Sequence, residues 1–195
     1  MRGLPIFSAL LVLAGLAACS TLNLPTARAL RQVDILTDDV GALIVALDLP
    51  STVAPLPFGV VITIIATTPS NGERLIEAAL APADAEAVIG SLPPPGRERA
   101  YYLFGFSDDD KAKLAEAQSW ARSLPGGFTA AGGDLSLSVD PQLCALAPVD
   151  PAQTQFSVLI ALPGASNLEP LFENARLADL LARWNETQLP ACGER

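Results

Sequence analysis

Histidine is absent from this chain of 195 residues, and its one methionine is Met1. Those absences exclude histidine triads, histidine proton shuttles and nearly every common transition-metal site, because imidazole is the usual base or ligand in each. Lysine is almost as scarce. Only Lys111 and Lys113 occur, and neither completes a Ser-x-x-Lys motif, so a serine–lysine dyad has no signature. There is no Gly-x-Ser-x-Gly elbow, no Cys-x-x-Cys pair, no phosphate-binding glycine loop and no dinucleotide fingerprint. No catalytic residue, no metal ligand and no cofactor is assigned on this reading.

Positive charge is also short. Twelve basic residues face 21 acidic ones, a net charge of −9, and no basic run offsets it locally. Such a domain is repelled by nucleic acid and by anionic lipid headgroups, which removes nucleic acid from the expected partners.

What is present begins at the N-terminus. Arg2 precedes an apolar stretch from Leu4 to Leu16, about a dozen residues, too short for a helix across a hydrocarbon core of roughly 30 Å. The stretch ends in Leu16-Ala17-Ala18-Cys19, which resembles the lipobox of bacterial lipoproteins. The resemblance covers only the first twenty or so residues. It implies cleavage between Ala18 and Cys19, and acyl chains on Cys19 that tie the mature chain to a membrane. Two or more chains anchor stably where one does not. In that family a residue other than Asp after the cysteine, here Ser20, implies the outer membrane, most simply its periplasmic face. An ordinary signal peptide cut near Ala18 is the alternative. The expected division is therefore signal 1–18, lipidated N-terminus and tether 19–30, and one β-rich domain over 31–195.

With Cys19 lipidated, Cys144 and Cys192 are an even pair in an oxidising compartment, and a disulfide between them is expected. Closing a loop of about fifty residues is worth roughly 4 kcal/mol in loop-closure entropy.

The body reads as strands. Leu43, Val45, Leu47 and Leu49 recur at period two. Val60 to Ile65 is β-branched and apolar on both faces, as in a central strand. Pro69-Ser70-Asn71-Gly72 predicts a turn, with Arg74 to Ala81 returning as the partner strand. Ala83 to Leu92 fits either a short helix or a strand, and Pro93-Pro94-Pro95-Gly96 opens a loop. Tyr101 to Phe106, the alternating Leu135, Leu137 and Val139, and the run Phe156, Val158, Ile160, Leu162 complete the set. A helix is expected from Asp108 to Ser123, with Ser107 as N-cap and Leu114, Ala117, Ala121 and Leu124 on one face. A second is expected from Pro170 to Trp184, carrying Leu177, Leu181 and Trp184. The fold class expected is mainly β or α+β: an antiparallel β-sandwich-like domain, immunoglobulin-like by analogy only, with about two covering helices.

Among features with chemical potential, Asp108-Asp109-Asp110 lacks the spacing of a calcium loop and is explained by helix capping. Gly126-Gly127 and Gly132-Gly133 flank Phe128 to Ala131 and predict a flexible hairpin or surface loop. The aromatic strand Tyr101-Tyr102-Leu103-Phe104-Gly105-Phe106 fills the core with one of its faces. Trp120 lies off the apolar stripe of its helix and is a candidate interface anchor. Three functional classes follow. The favoured one is a non-enzymatic envelope lipoprotein that binds another protein or supports an assembly, with an open sheet edge as the contact. A carrier or sensor of a small apolar ligand is the second, and it requires a sizeable pocket. A histidine-free hydrolase is the third; it requires two facing carboxylates, and Glu77, Glu86, Glu98 and Asp140 are candidates without a motif.

Overall fold

The computed structural model describes residues 38–84, 92–164 and 167–193. The lipobox, Cys19, the tether and residues 85–91 of the ambiguous segment lie outside the described residues, as does Glu86. After a short 3-10 turn at Val40–Ala42, the chain forms β1 (Ile44–Pro50), β2 (Val53–Thr68), β3 (Gly72–Ala79), β4 (Ala81–Pro82) and β5 (Arg99–Gly105). Helix α1 (Asp108–Ser123) and the one-turn α2 (Gly127–Ala130) follow, then β6 (Asp134–Ala145), β7 (Gln155–Ala161), β8 (Glu169–Arg176) and α3 (Leu177–Trp184). The strands make two antiparallel sheets, ordered β4-β5-β1-β7-β8 and β3-β2-β6. This is the expected β-sandwich-like α+β arrangement.

Side-chain alternation explains how the sheets meet. Val45, Leu47 and Leu49 of β1, Phe104 of β5 and Val158 and Ile160 of β7 point inward from the five-stranded sheet. They join Val60, Ile62 and Ile64 of β2 and Ile76 and Ala78 of β3 in one buried cluster. Each fully buried Leu, Ile or Val contributes about 1.5–3 kcal/mol, so this shared layer holds the sheets together. The chain changes sheets at Leu80. That side chain is fully buried, and its N–H donates to Val60 O at 2.8 Å just before β4 begins in the other sheet.

The two sheets differ in length. β2 runs for 16 residues and β1 for 7, so the far half of the three-stranded sheet extends past its partner. Helix α1 covers that half. Leu114, Ala117 and Ala121 lie against Ile64, Ala66 and Ile76. Helix α3 covers the opposite side. Leu177, Leu180 and Leu181 enter the core, and Trp184 Nε1 donates to Asp140 Oδ1 on β6 at 3.1 Å.

Two expectations are corrected. The segment from Pro170 is strand β8 up to Arg176, and the helix begins only at Leu177. Pro170 opposes Leu159 at the edge of the sheet, where a missing N–H costs nothing, and Asn174 (φ 51°) bulges so that its N–H meets Ser157 Oγ at 3.1 Å. The start of α3 carries no side-chain cap; the carbonyls of Thr154 and Pro151 accept from Leu177 and Ala178 instead. The paired-glycine segment is likewise no hairpin or simple surface loop. It holds α2, with Phe128 buried beneath α1 beside Ala121 and Leu124.

Candidate interaction surface

Helix α1 starts as its sequence predicts. Ser107 Oγ accepts from Asp110 N–H at 3.2 Å and donates to Asp110 Oδ2 at 2.7 Å, while Lys113 Nζ donates to Asp110 Oδ1 at 2.7 Å. Burial works to raise the Asp110 pKa. The hydrogen bonds from Lys113 and Ser107, with the Lys113 charge, overcome it and hold the carboxyl below its usual value. Asp110 is thus committed to the helix end. Among the described residues no group of three or more Asp, Glu or Cys is placed to hold a metal ion.

Among the described residues, the candidate carboxylates Glu77, Glu98 and Asp140 do not face one another. Glu77 is on β3 and Asp140 on β6, at opposite edges of one sheet with β2 between them, and Asp140 already accepts from Trp184. Glu98 sits at the turn into β5 with φ 62°, where its carbonyl accepts from Ser51 N–H at 2.7 Å. A buttressed ion pair occupies the outer face of the five-stranded sheet. Arg99 Nε meets Asp48 Oδ1 at 2.8 Å, and the guanidinium also donates to Asp48 O and Gln155 O. Burial and then the Asp48 charge push the neighbouring Tyr101 hydroxyl up, against a smaller opposing effect of Arg99. These groups satisfy one another and tie three strands. They are not poised for proton transfer.

The space between α1 and the inner face of β2 and β3 is a cavity of ≈ 20 Å³, lined by apolar side chains including Ile64, Leu114 and Phe128. That is room for about one water, far below the roughly 300 Å³ at which small-molecule pockets begin.

One surface with unmet bonding capacity is β3. It is an edge strand: β2 pairs with one side of it, and among the described residues no strand pairs with the other. The bond from Leu80 N–H to Val60 O sets the phase of the β2–β3 ladder. Bonded pairs alternate in an antiparallel ladder, so 62/78, 64/76 and 66/74 are bonded pairs. Glu73, Leu75 and Glu77 therefore turn their N–H and C=O groups to the open edge. Ile76 and Ala78 point into the core, so the side chains of Glu73, Leu75 and Glu77 stand on the outer face. Leu75 is 57% exposed and opposes the half-buried Ile65, a cross-strand apolar pair between two glutamates.

Trp120 flanks the same edge from the inner side. It is half-buried, meets Phe128 edge-on at 6.3 Å between centroids, and has the Arg74 guanidinium of β3 5.2 Å from its ring centre. The two features proposed from sequence as contacts, an open edge and Trp120, thus meet through Arg74. Sequence reading missed Arg74. Its partner depends on the register that sets it opposite Ala66, which period-two alternation does not reveal.

The disulfide is formed as expected, joining Cys144 at the end of β6 to Cys192 with a Cα–Cα distance of 5.0 Å. Around it Ala145 N–H donates to Pro190 O at 2.8 Å and Cys192 N–H to Ala145 O at 2.9 Å, so the tail lies along the end of β6. No helix among the described residues is long and apolar enough to cross a membrane. No protein-family model, curated protein or solved structure matches the chain, and the functional reading rests on its own surface.

Proposed function

We propose that the protein is an envelope lipoprotein, cleaved after Ala18 and anchored through acyl chains on Cys19 at the periplasmic face of the outer membrane. Its folded part binds another envelope protein without catalysing a reaction. The observation that carries the binding half is the open edge of β3, where Glu73, Leu75 and Glu77 present both backbone groups and side chains outward. Strand addition satisfies such an edge, with main-chain hydrogen bonds giving affinity and alternate side chains giving specificity. The sequence resemblance at Leu16 to Cys19 carries the anchor.

One experiment tests both halves. A photo-reactive leucine analogue is placed at position 75 in cells, with a control at Leu146, which is equally exposed at 57% but lies beyond the end of β6. One dominant envelope protein crosslinked from position 75 and not from 146 is the expected result; none from 75, or the same set from both, refutes the binding reading. In the same cells Cys19→Ala should move the protein out of the membrane fraction or leave it unprocessed. Unchanged fractionation and processing refute the anchor.

A further inference from the structure

We infer that the segment received by β3 is an extended stretch of a partner protein with a basic–x–apolar–x–basic pattern, and that a second copy of this chain is not the occupant. The inference rests on the strand-addition reading above. Residues directly opposite on neighbouring strands share a face with Cβ atoms about 4.5–5.5 Å apart, where opposite charges stabilise and like charges destabilise. An added strand in register therefore sets three of its alternate side chains against Glu73, Leu75 and Glu77. Neither glutamate has an ion-pair partner among the described residues. Two lysines or arginines around a Val, Ile or Leu match that row, and the net charge of −9 draws a basic segment in from a distance.

A second copy fits badly in each nearby register. Antiparallel pairing of Leu75 with Leu75 of the copy sets Glu73 opposite Glu77 twice. Shifting by two residues in either direction sets Leu75 opposite a glutamate, and one of those shifts also brings Arg74 against Arg74. The glutamates thus act as a filter. They discourage self-association of an exposed edge and admit a strand of complementary charge.

The test uses the full-length lipidated protein in neutral detergent with the photo-reactive leucine analogue at position 75. Two synthetic nine-residue peptides are compared, both alternating with threonine: one carries lysine–threonine–valine–threonine–lysine at its centre, the other glutamate at the two lysine positions. The lysine peptide should label at a concentration about tenfold lower than the glutamate peptide at low salt, with the gap narrowing as salt is added. The double variant Glu73→Lys/Glu77→Lys should reverse the order. Both positions are exposed, so the fold is expected to survive, which the near-ultraviolet signal of Trp184 against Asp140 checks. Equal labelling by the two peptides, an order unmoved by the charge reversal, or a crosslinked homodimer overturns the inference. If neither peptide labels, the inference also falls, and the in-cell crosslink from position 75 then separates the cases. A dominant partner there leaves strand addition standing; none removes both.

Discussion

At Asp110 a single carboxylate holds the capping hydroxyl of Ser107 and pairs with Lys113. It is one of two buried polar residues among the described ones, at 6% exposure, and each oxygen has a donor. Removing its charge while keeping its shape, Asp110→Asn, should cost about 1 kcal/mol at neutral pH, the usual scale for a lost cap interaction. The pH dependence follows from the sign of the shift. The folded carboxyl titrates below its unfolded value of about 3.9, so its contribution is complete above that value and is lost as pH falls through the folded value. Urea unfolding of the two proteins should therefore differ at pH 7, with the gap beginning to close only as the pH falls below the unfolded value of about 3.9. A difference that persists in acid would place the effect in packing instead of charge. This corner was legible beforehand, because Ser107 and the acidic first turn are local signals. The Arg74–Trp120 contact was not, because no local pattern says which residue a strand register brings beneath an aromatic ring.

Elements were legible where their periodicity ran to their ends. β1, the centre of β2, β6 and α1 lie where alternation or helical spacing sets them, since burial of one face enforces the pattern. β8 was misread because Leu177, Leu181 and Trp184 have true helical spacing and Pro170 resembles a first helical residue. Only the neighbouring β7 and the bulge at Asn174 make the intervening segment a strand. The paired glycines were misread for a related reason: composition announced a loop, whereas Gly126, Gly127 and Gly132 take positive φ around α2 and Gly133 permits close approach. A Cβ at Gly133 would lie 2.6 Å from both the ring and the carbonyl oxygen of Phe128, whose backbone accepts from Gly133 N–H. Gly133→Ala should therefore displace α2 and cost about 1–3 kcal/mol, the range for overpacking a well-filled site. Gly96→Ala is the matched control. Its Cβ would meet only the aliphatic stem of Arg99, at 3.3 Å and 3.8 Å with no backbone in the way, so it should cost less than Gly133→Ala. Thermal melts of the two variants decide it. Equal melting temperatures would mean that α2 shifts without cost.

Across the whole molecule, the sandwich leaves its sides to be closed by parts distant in sequence. Helix α1 closes one side next to β3, and on the other α3 and the C-terminal tail meet β6. The tail is the weakest of these covers by its own contacts, since Leu189 is only partly buried and the bridge from Ala191 to Ala145 is isolated. The disulfide ties it across a separation of 48 residues. A loop of that length is worth about 4 kcal/mol in unfolded-state entropy, more than the tail's few hydrogen bonds contribute at about 1 kcal/mol each. The double variant Cys144→Ser/Cys192→Ser should lower the urea midpoint by an amount equivalent to several kcal/mol. Local protection should fall first at Cys192 and Ala145, whose amides bond within the bridge region. The intact protein should show no reactive thiol at either position. If the midpoint does not move, the tail is held by its backbone pairing to β6. If protection falls evenly over both sheets, the disulfide serves the whole fold, and the closure of the β6 side is inseparable from the stability of the sandwich.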